Sequence, residues 1–265
     1  MNLIDLHSHI LPGLDDGAAR LDEALEMARI AVADGIGIMA ATPHAPAVPG
    51  HPIFMADVAT AVAELQARLD DQGIPLQLVP GAEVALMPET ARQLIGGDLA
   101  PIARSRYVLV EFPLLTLPAG VFDELFKLRM AGLVPIIAHP ERHPYIQEDP
   151  RLLERMVAMG CLAQATAMSI TGNFGSAAME CVHGLLMRGL VHLVASDAHN
   201  IRSRPPMISD AFPWVADILE DREEAQRIFL QRPADILKNR PVRAAEAAGP
   251  GFRARAAAGE DRPLI

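Results

Sequence analysis

Apolar positions along the chain switch repeatedly between two periods. Short runs of alternating or continuous apolar residues, the mark of strands, are followed by longer stretches with apolar residues three to four apart, the mark of helices. Leu3-Ile4, with Leu6 continuing the alternation, predicts a buried strand that ends in a polar loop. Residues 20–33 carry Leu21, Leu25, Ala28 and Ile30 near helical spacing, and Gly35 and Gly37 end that helix. Further strands are expected at 36–41, 76–79, 107–110, 133–138, 161–165 and 191–195. Helices are expected between them at 54–69, 88–95, 121–130, 151–159 and 176–188, with more helix over 210–237. Residues 46–52 are proline-rich and read as a loop. From residue 247 onward Gly, Pro, Ala and alternating charges lack apolar periodicity, which predicts a mobile tail after a single domain over 1–246. Seven strands alternating with helices predict a parallel α/β arrangement, and this many units favour a closed barrel over an open sheet.

In βα barrels, functional residues follow the C-terminal ends of strands. The first strand here runs into DLHSHILPGLDDG, residues 5–17. His7 and His9 are two apart, so on an extended segment both imidazoles face one side. Pro12-Gly13 turns the chain, and the next turn brings either Asp15 or Asp16 back towards them. The later strand ends supply His44, Glu83, Glu111, His139, and the pair Asp197 and His199. Only the sixth, ending near Gln164, offers no obvious ligand. Each residue taken singly has an ordinary explanation as a cap, an ion-pair partner or an exposed loop side chain. Together, several carboxylates at one barrel mouth would repel unless cations sat among them. The set suits two or three divalent ions, with Glu83 able to bridge two. Such ions lower the pKa of bound water, and a pair can clamp the attacking and leaving oxygens at phosphorus. Arg142 and Arg204 follow His139 and His199 closely, and guanidinium forks match phosphate oxygens.

Composition narrows the alternatives. The 265 residues suffice for one large domain, and 51 % apolar content with only 4 % aromatics means that Ala, Leu, Ile and Val fill the core. A net charge of −10 argues against a nucleic-acid groove. Cys161 and Cys181 form no CxxC, and neither has an arginine six residues on, because Ala167 and Met187 stand there; a cysteine phosphatase loop is excluded. No GxGxxG or Walker loop follows the first strand, and no serine sits in a nucleophile elbow. No signal-peptide pattern and no membrane-spanning run is evident, so a soluble, cytoplasmic protein is expected.

The ordered motifs DLHSH, TPH, GAE, EFP, AHPER and SDAH resemble those of the polymerase and histidinol phosphatase (PHP) superfamily. More narrowly, LPGLDDG, EFP, HPER and SDAHN followed by SRPP are similar to the bacterial PHP-type protein-tyrosine phosphatases of capsule and exopolysaccharide clusters. The motifs cover about residues 3–206. The resemblance implies a distorted (β/α)7 barrel with a trinuclear metal site, manganese being favoured and iron or zinc also accepted. It implies that His7, His9, Glu83 and Asp197 hold one ion, that Glu83, Glu111 and His139 hold a second, and that Asp16, His44 and His199 hold a third, with Asp15 the lesser choice. It also implies that Arg142 and Arg204 bind the phosphoryl group. The substrate would be the phosphotyrosine tail of a tyrosine autokinase that controls polysaccharide polymerisation.

One departure bears on substrate. His44 is followed by APAVPGHP, which lacks Lys and Arg where such proteins often carry cations, and His51 there reads as a loop histidine. Metal binding is untouched by this, whereas grip on an acidic phosphopeptide is weakened. The alternatives are a phosphatase of small monoesters such as histidinol phosphate, a scaffold protein that keeps the barrel, and a nuclease-like protein, which the acidic charge disfavours.

Overall fold

The computed structural model describes residues 2–45, 55–96 and 101–242. The proline-rich loop with His51, and the tail from 247, lie outside them. Among the described residues, nine strand segments are interleaved with helices: β1 Leu3–Asp5, β2 Ile36–Ala41, β3 His44–Ala45, β4 Gln77–Pro80, β5 Glu83–Ala85, β6 Tyr107–Glu111, β7 Val134–Ala138, β8 Leu162–Thr166 and β9 Leu193–Ala195. Every pairing is parallel. The seven expected strands are present, and the second and third are each followed by a further short segment, β3 and β5. The β2–β4 ladder ends at Ala41 and Pro80, and pairing resumes as β3–β5 with His44 opposite Glu83. Pro43, which has no N–H to give, stands at the break. Instead its carbonyl accepts from Glu83 N at 3.0 Å, and Thr42 N turns to Ser8 O at 2.8 Å. The break therefore separates a sheet β1-β2-β4 from a sheet β3-β5-β6-β7-β8-β9.

Side-chain parity creates two cores. Tyr107 and Leu109, Ile136 and Ala138, Leu162 and Leu193 point inwards with Ile4 and Leu6. Val108 and Val110, Ile137, Ala163 and Ala165, and Val194 point outwards into the layer beneath the helices. That outer layer is covered by Leu21–Ala33, Met55–Asp71, Val121–Met130, Arg151–Ala158 and Ser176–Met187. The bottom of the barrel is plugged by the last helix, Arg232–Leu237, whose Ile236 joins the inner core. Tyr107 Oη ties that end down, donating to Arg240 O at 2.6 Å and accepting from Val242 N at 2.8 Å.

The barrel does not close by a continuous ladder. Among the described residues, the first and last strands meet through one parallel bridge, Ser8 to Ala198. His9 N donates to Ala198 O at 2.8 Å and Asp197 N to His7 O at 2.9 Å beside it. Asp5, fully buried, reinforces the seam: it accepts from Ser196 Oγ at 2.5 Å, Ser196 N at 3.1 Å and His7 N at 3.2 Å. Burial pushes its carboxyl up to about 6 against the pull of the Ser196 hydrogen bonds. The seam thus runs through the two segments richest in candidate ligands, those of His7 and His9 and of Asp197 and His199.

Candidate metal centre

All nine candidate ligands gather at the C-terminal mouth. At its floor, His7 Nε2 lies 3.3 Å from His9 Nε2, 3.3 Å from Asp197 Oδ1 and 3.3 Å from Glu83 Oε1. His9 Nε2 lies 3.4 Å from Glu83 Oε2 and 3.5 Å from Asp197 Oδ1. Ligand atoms sharing one tetrahedral ion at about 2.1 Å stand roughly 3.4 Å apart, so these separations suit a common cation. A second feature of the donor set agrees. Glu83 Oε2 is buried and receives no hydrogen bond, although His44 Nδ1 is 3.1 Å away. Glu83 Oε1 is met by His139 Nε2 at 3.1 Å, whereas Oε2 stays open, which fits a lone pair aimed at a positive charge.

Further out, His139 Nε2 is 3.1 Å from Glu83 Oε1 and 3.6 Å from Glu111 Oε1. His44 Nδ1 is 3.6 Å from Glu111 Oε2, while its Nε2 faces Asp16 Oδ1 at 3.4 Å. His199 Nε2 also meets Asp16 Oδ1 at 3.4 Å. Three groups have donor atoms close enough for one ion: His7, His9 and Asp197; His44, Glu83 and Glu111; and His9, Asp16, His44 and His199. His44 thus stands between the second and third groups, offering one nitrogen to each side. His9 is shared as well.

The two neighbouring aspartates of the first loop face different partners. Asp15 Oδ2 accepts from His9 Nδ1 at 2.6 Å and from His44 N at 3.0 Å, and Asp15 Oδ1 accepts from Gly17 N at 3.0 Å. It orients His9 so that Nε2 faces the floor, the arrangement by which carboxylates fix metal-binding imidazoles. Burial raises the Asp15 carboxyl, but His9 and the backbone donors outweigh it and hold it down at about 2. Asp16 instead faces the imidazoles of His44 and His199. Gly17 permits this loop, because a Cβ there would stand 2.0 Å from His9 O.

Charge explains the other shifts. Burial raises Glu83 and Asp197, but surrounding imidazoles prevail and both carboxyls sit well below their usual range. Burial lowers His7, yet Glu83 and Asp197 lift it to about 9. Burial and repulsion by Glu83 raise Glu111. His199 falls to about 4 through burial and the neighbouring His9. His139 and Asp197 both adopt left-handed backbone, φ 31° and 54°, which costs about 1–3 kcal/mol each and is typical of over-determined functional turns.

Arg142 and Arg204 also reach this mouth, and both donate to one atom. Asp197 Oδ2 accepts from Arg142 Nη1 at 2.6 Å and from Arg204 Nη2 at 2.5 Å, while Oδ1 faces the histidines. Arg204 is folded back by Asn200, whose Oδ1 accepts from the backbone N–H of Arg202, Ser203 and Arg204. The carbonyl of Arg204 then accepts from His199 N at 3.0 Å.

Two residues of the site escaped the motif reading. Gln164 Oε1 accepts from His7 Nδ1 at 2.8 Å, so the strand without a ligand supplies the partner that points His7 Nε2 at the floor. Its inward parity on β8 was the available signal. Phe174 lies beneath both arginines, with ring centroid 4.7 Å from Arg142 Cζ and 5.8 Å from Arg204 Cζ. No strand-end pattern pointed to it. The cysteines take no part: burial pushes both thiols up to about 12.

Known proteins resemble this chain in sequence and fold. The family model described as capsular polysaccharide synthesis, CpsB/CapC, matches residues 3–238. The tyrosine-protein phosphatase YwqE of Bacillus subtilis is 38 % identical over 205 residues, covering 76 % of this chain and 79 % of YwqE. The putative tyrosine-protein phosphatase CapC of Staphylococcus aureus is 32 % identical over 213 residues, covering 79 % and 82 %. A solved structure from a study of YwqE of Bacillus subtilis and CpsB of Streptococcus pneumoniae, described as unique metal-dependent tyrosine phosphatases, superposes with TM-score 0.86 at 33 % identity, covering 90 % of this chain and 96 % of that one. A phosphotriesterase homology protein from Escherichia coli, at 10 % identity and TM-score 0.58, shares the fold. With a family model spanning nearly all the described residues, this chain belongs to the CpsB/CapC family of capsular polysaccharide synthesis.

Proposed function

We propose that the protein is a metal-dependent phosphotyrosine-protein phosphatase, with the tail of a tyrosine kinase of polysaccharide synthesis as its substrate. The observation that carries this is the floor of the mouth, where His7, His9, Glu83 and Asp197 converge at 3.3–3.5 Å without hydrogen-bond donors for Glu83 Oε2. Its tyrosine-phosphatase relatives supply the reaction class.

His7, His9, Glu83 and Asp197 would hold one ion, Glu83, Glu111 and His139 a second, and Asp16, His44 and His199 a third. Divalent ions held there, manganese foremost, would supply activated water near neutral pH and positive charge for the phosphoryl oxygens. The chain's own residues do the rest. Asp15 and Gln164 keep the His9 and His7 rings turned so that their Nε2 lone pairs face inwards. Arg142 and Arg204 bind the phosphoryl oxygens in two-point contacts, using guanidinium N–H groups beyond those given to Asp197. Asp197 couples the two tasks, one oxygen facing the ligand nitrogens and the other anchoring both arginines.

The second reading, a small-monoester phosphatase, draws on the segment APAVPGHP after His44, which offers no cation to an acidic peptide. One experiment separates them: hydrolysis of a phosphotyrosine peptide beside histidinol phosphate, with manganese added and metal content determined on the same sample. Release from the peptide alone, abolished by a chelator, is expected. Preference for histidinol phosphate would move the protein to small-molecule chemistry, and absence of bound metal would undo the centre.

A further inference from the structure

Arg142 and Arg204 come from different connections, one from the turn Pro140–Arg142 after β7 and the other from the loop after β9. Both nevertheless donate to the single atom Asp197 Oδ2. Two guanidinium charges meeting at one carboxylate oxygen repel each other, and one carboxylate neutralises only one of them. A further attraction beside Asp197 would favour their proximity before any phosphate arrives. Phe174 is placed to do this. Its ring lies 4.7 Å from one Cζ and 5.8 Å from the other, within the range at which the negative face of an aromatic attracts a cation.

The segment that carries Phe174 is firmly held. It follows the short helix Ala167–Ile170 after β8, and Phe174 stands between Gly172 and Gly175, whose φ values of 84° and 90° form a turn that L side chains resist. Asn173 N donates to Met168 O at 2.8 Å and Gly175 N to Gly172 O at 3.0 Å. The buried Glu141, next to Arg142, accepts from Thr166 N at 3.0 Å and ties the end of β7 to the start of this segment. Three consecutive connections, after β7, β8 and β9, therefore meet at one half-buried phenyl ring.

We propose that Phe174 is a positioning residue for phosphoryl binding: its ring holds Arg142 and Arg204 side by side over Asp197, so that the pair is oriented before substrate enters. This rests on the reading that the two arginines bind the phosphoryl group. The test compares Phe174→Leu, Phe174→Tyr, Arg142→Ala and Arg204→Ala, each manganese-loaded. It measures metal content, thermal midpoint, KM and kcat for a phosphotyrosine peptide, and competitive inhibition by inorganic phosphate. Leucine keeps apolar bulk and removes the π face, whereas tyrosine keeps the face. Phe174→Leu is expected to retain metal and melting temperature while KM and the inhibition constant for phosphate rise together by about tenfold. Phe174→Tyr should restore both. If the arginine variants weaken phosphate inhibition and Phe174→Leu does not, Phe174 has no positioning role and the arginine reading stands. If the leucine variant loses metal or melting temperature to the same extent as activity, the ring is structural and the proposal is overturned. If neither arginine variant alters phosphate inhibition, the arginine reading falls and takes this one with it.

Discussion

The floor and the rim of the candidate metal centre are built from the same residue types in different settings. His7, His9, Glu83 and Asp197 stand on or beside strand ends and are at most 1 % exposed. The rim residues His44, Glu111 and Asp16 have side chains 28, 29 and 65 % exposed. Floor imidazoles have fixed partners, Gln164 for His7 and Asp15 for His9. His44 is divided between two groups, and Asp16 reaches in from a loop. Low-dielectric surroundings make charge pairing stronger and unpaired charge costlier at the floor than at the rim. The floor should therefore bind its ion more tightly and tolerate substitution less.

Glu83→Ala tests that difference most severely. It removes the carboxylate shared by the floor and His139, and should abolish turnover, by about 10³-fold or more, with loss of metal measured by elemental analysis. Asp16→Ala should lower metal content by no more than one ion and leave measurable turnover. Equal and complete loss in both variants would erase the distinction between floor and rim. Arg142→Ala should keep the metals and reduce kcat/KM by about 10²–10³-fold, because it removes charge stabilisation and no ligand. Metal loss there would reassign Arg142 to holding Asp197. Gln164→Leu and Asp15→Asn should each weaken metal affinity or activity by about 10–100-fold, as orienting partners of ligands do; titration of manganese into metal-stripped protein reads this directly. The smallest effect belongs to the cysteines. Cys181→Ala should leave turnover unchanged, since its thiol, pushed up to about 12, is no nucleophile at neutral pH.

The parts legible in the sequence share a physical cause. A parallel βα unit needs a continuous apolar strand and an amphipathic helix, and these periods stand out residue by residue, as at Tyr107–Glu111 followed by Val121–Met130. Polar residues that break an apolar run at a strand end are equally conspicuous, which is why His44, Glu83, Glu111 and His139 could be picked out together. What could not be read depended on direction. Two adjacent aspartates look alike in a string, yet Asp15 turns to His9 and Asp16 to His199. Gln164 is an ordinary strand residue until its partner, 157 positions away, is known. The short segments that follow the second and third strands were likewise hidden, because the apolar pattern alone does not register a shift in backbone pairing.

The chain by itself determined the βα order, the inward and outward parity of each strand, and the set of histidines and carboxylates delivered to the mouth, because all of these follow from local periodicity and covalent spacing. Only the tertiary structure decided the incomplete seam closed by Ser8, Ala198 and Asp5, the different partners that Asp15 and Asp16 face, and the meeting of Arg142, Arg204 and Phe174 at Asp197. Those depend on which side chains far apart in sequence come within hydrogen-bonding reach, and that is set by how the strands register and where the loops turn.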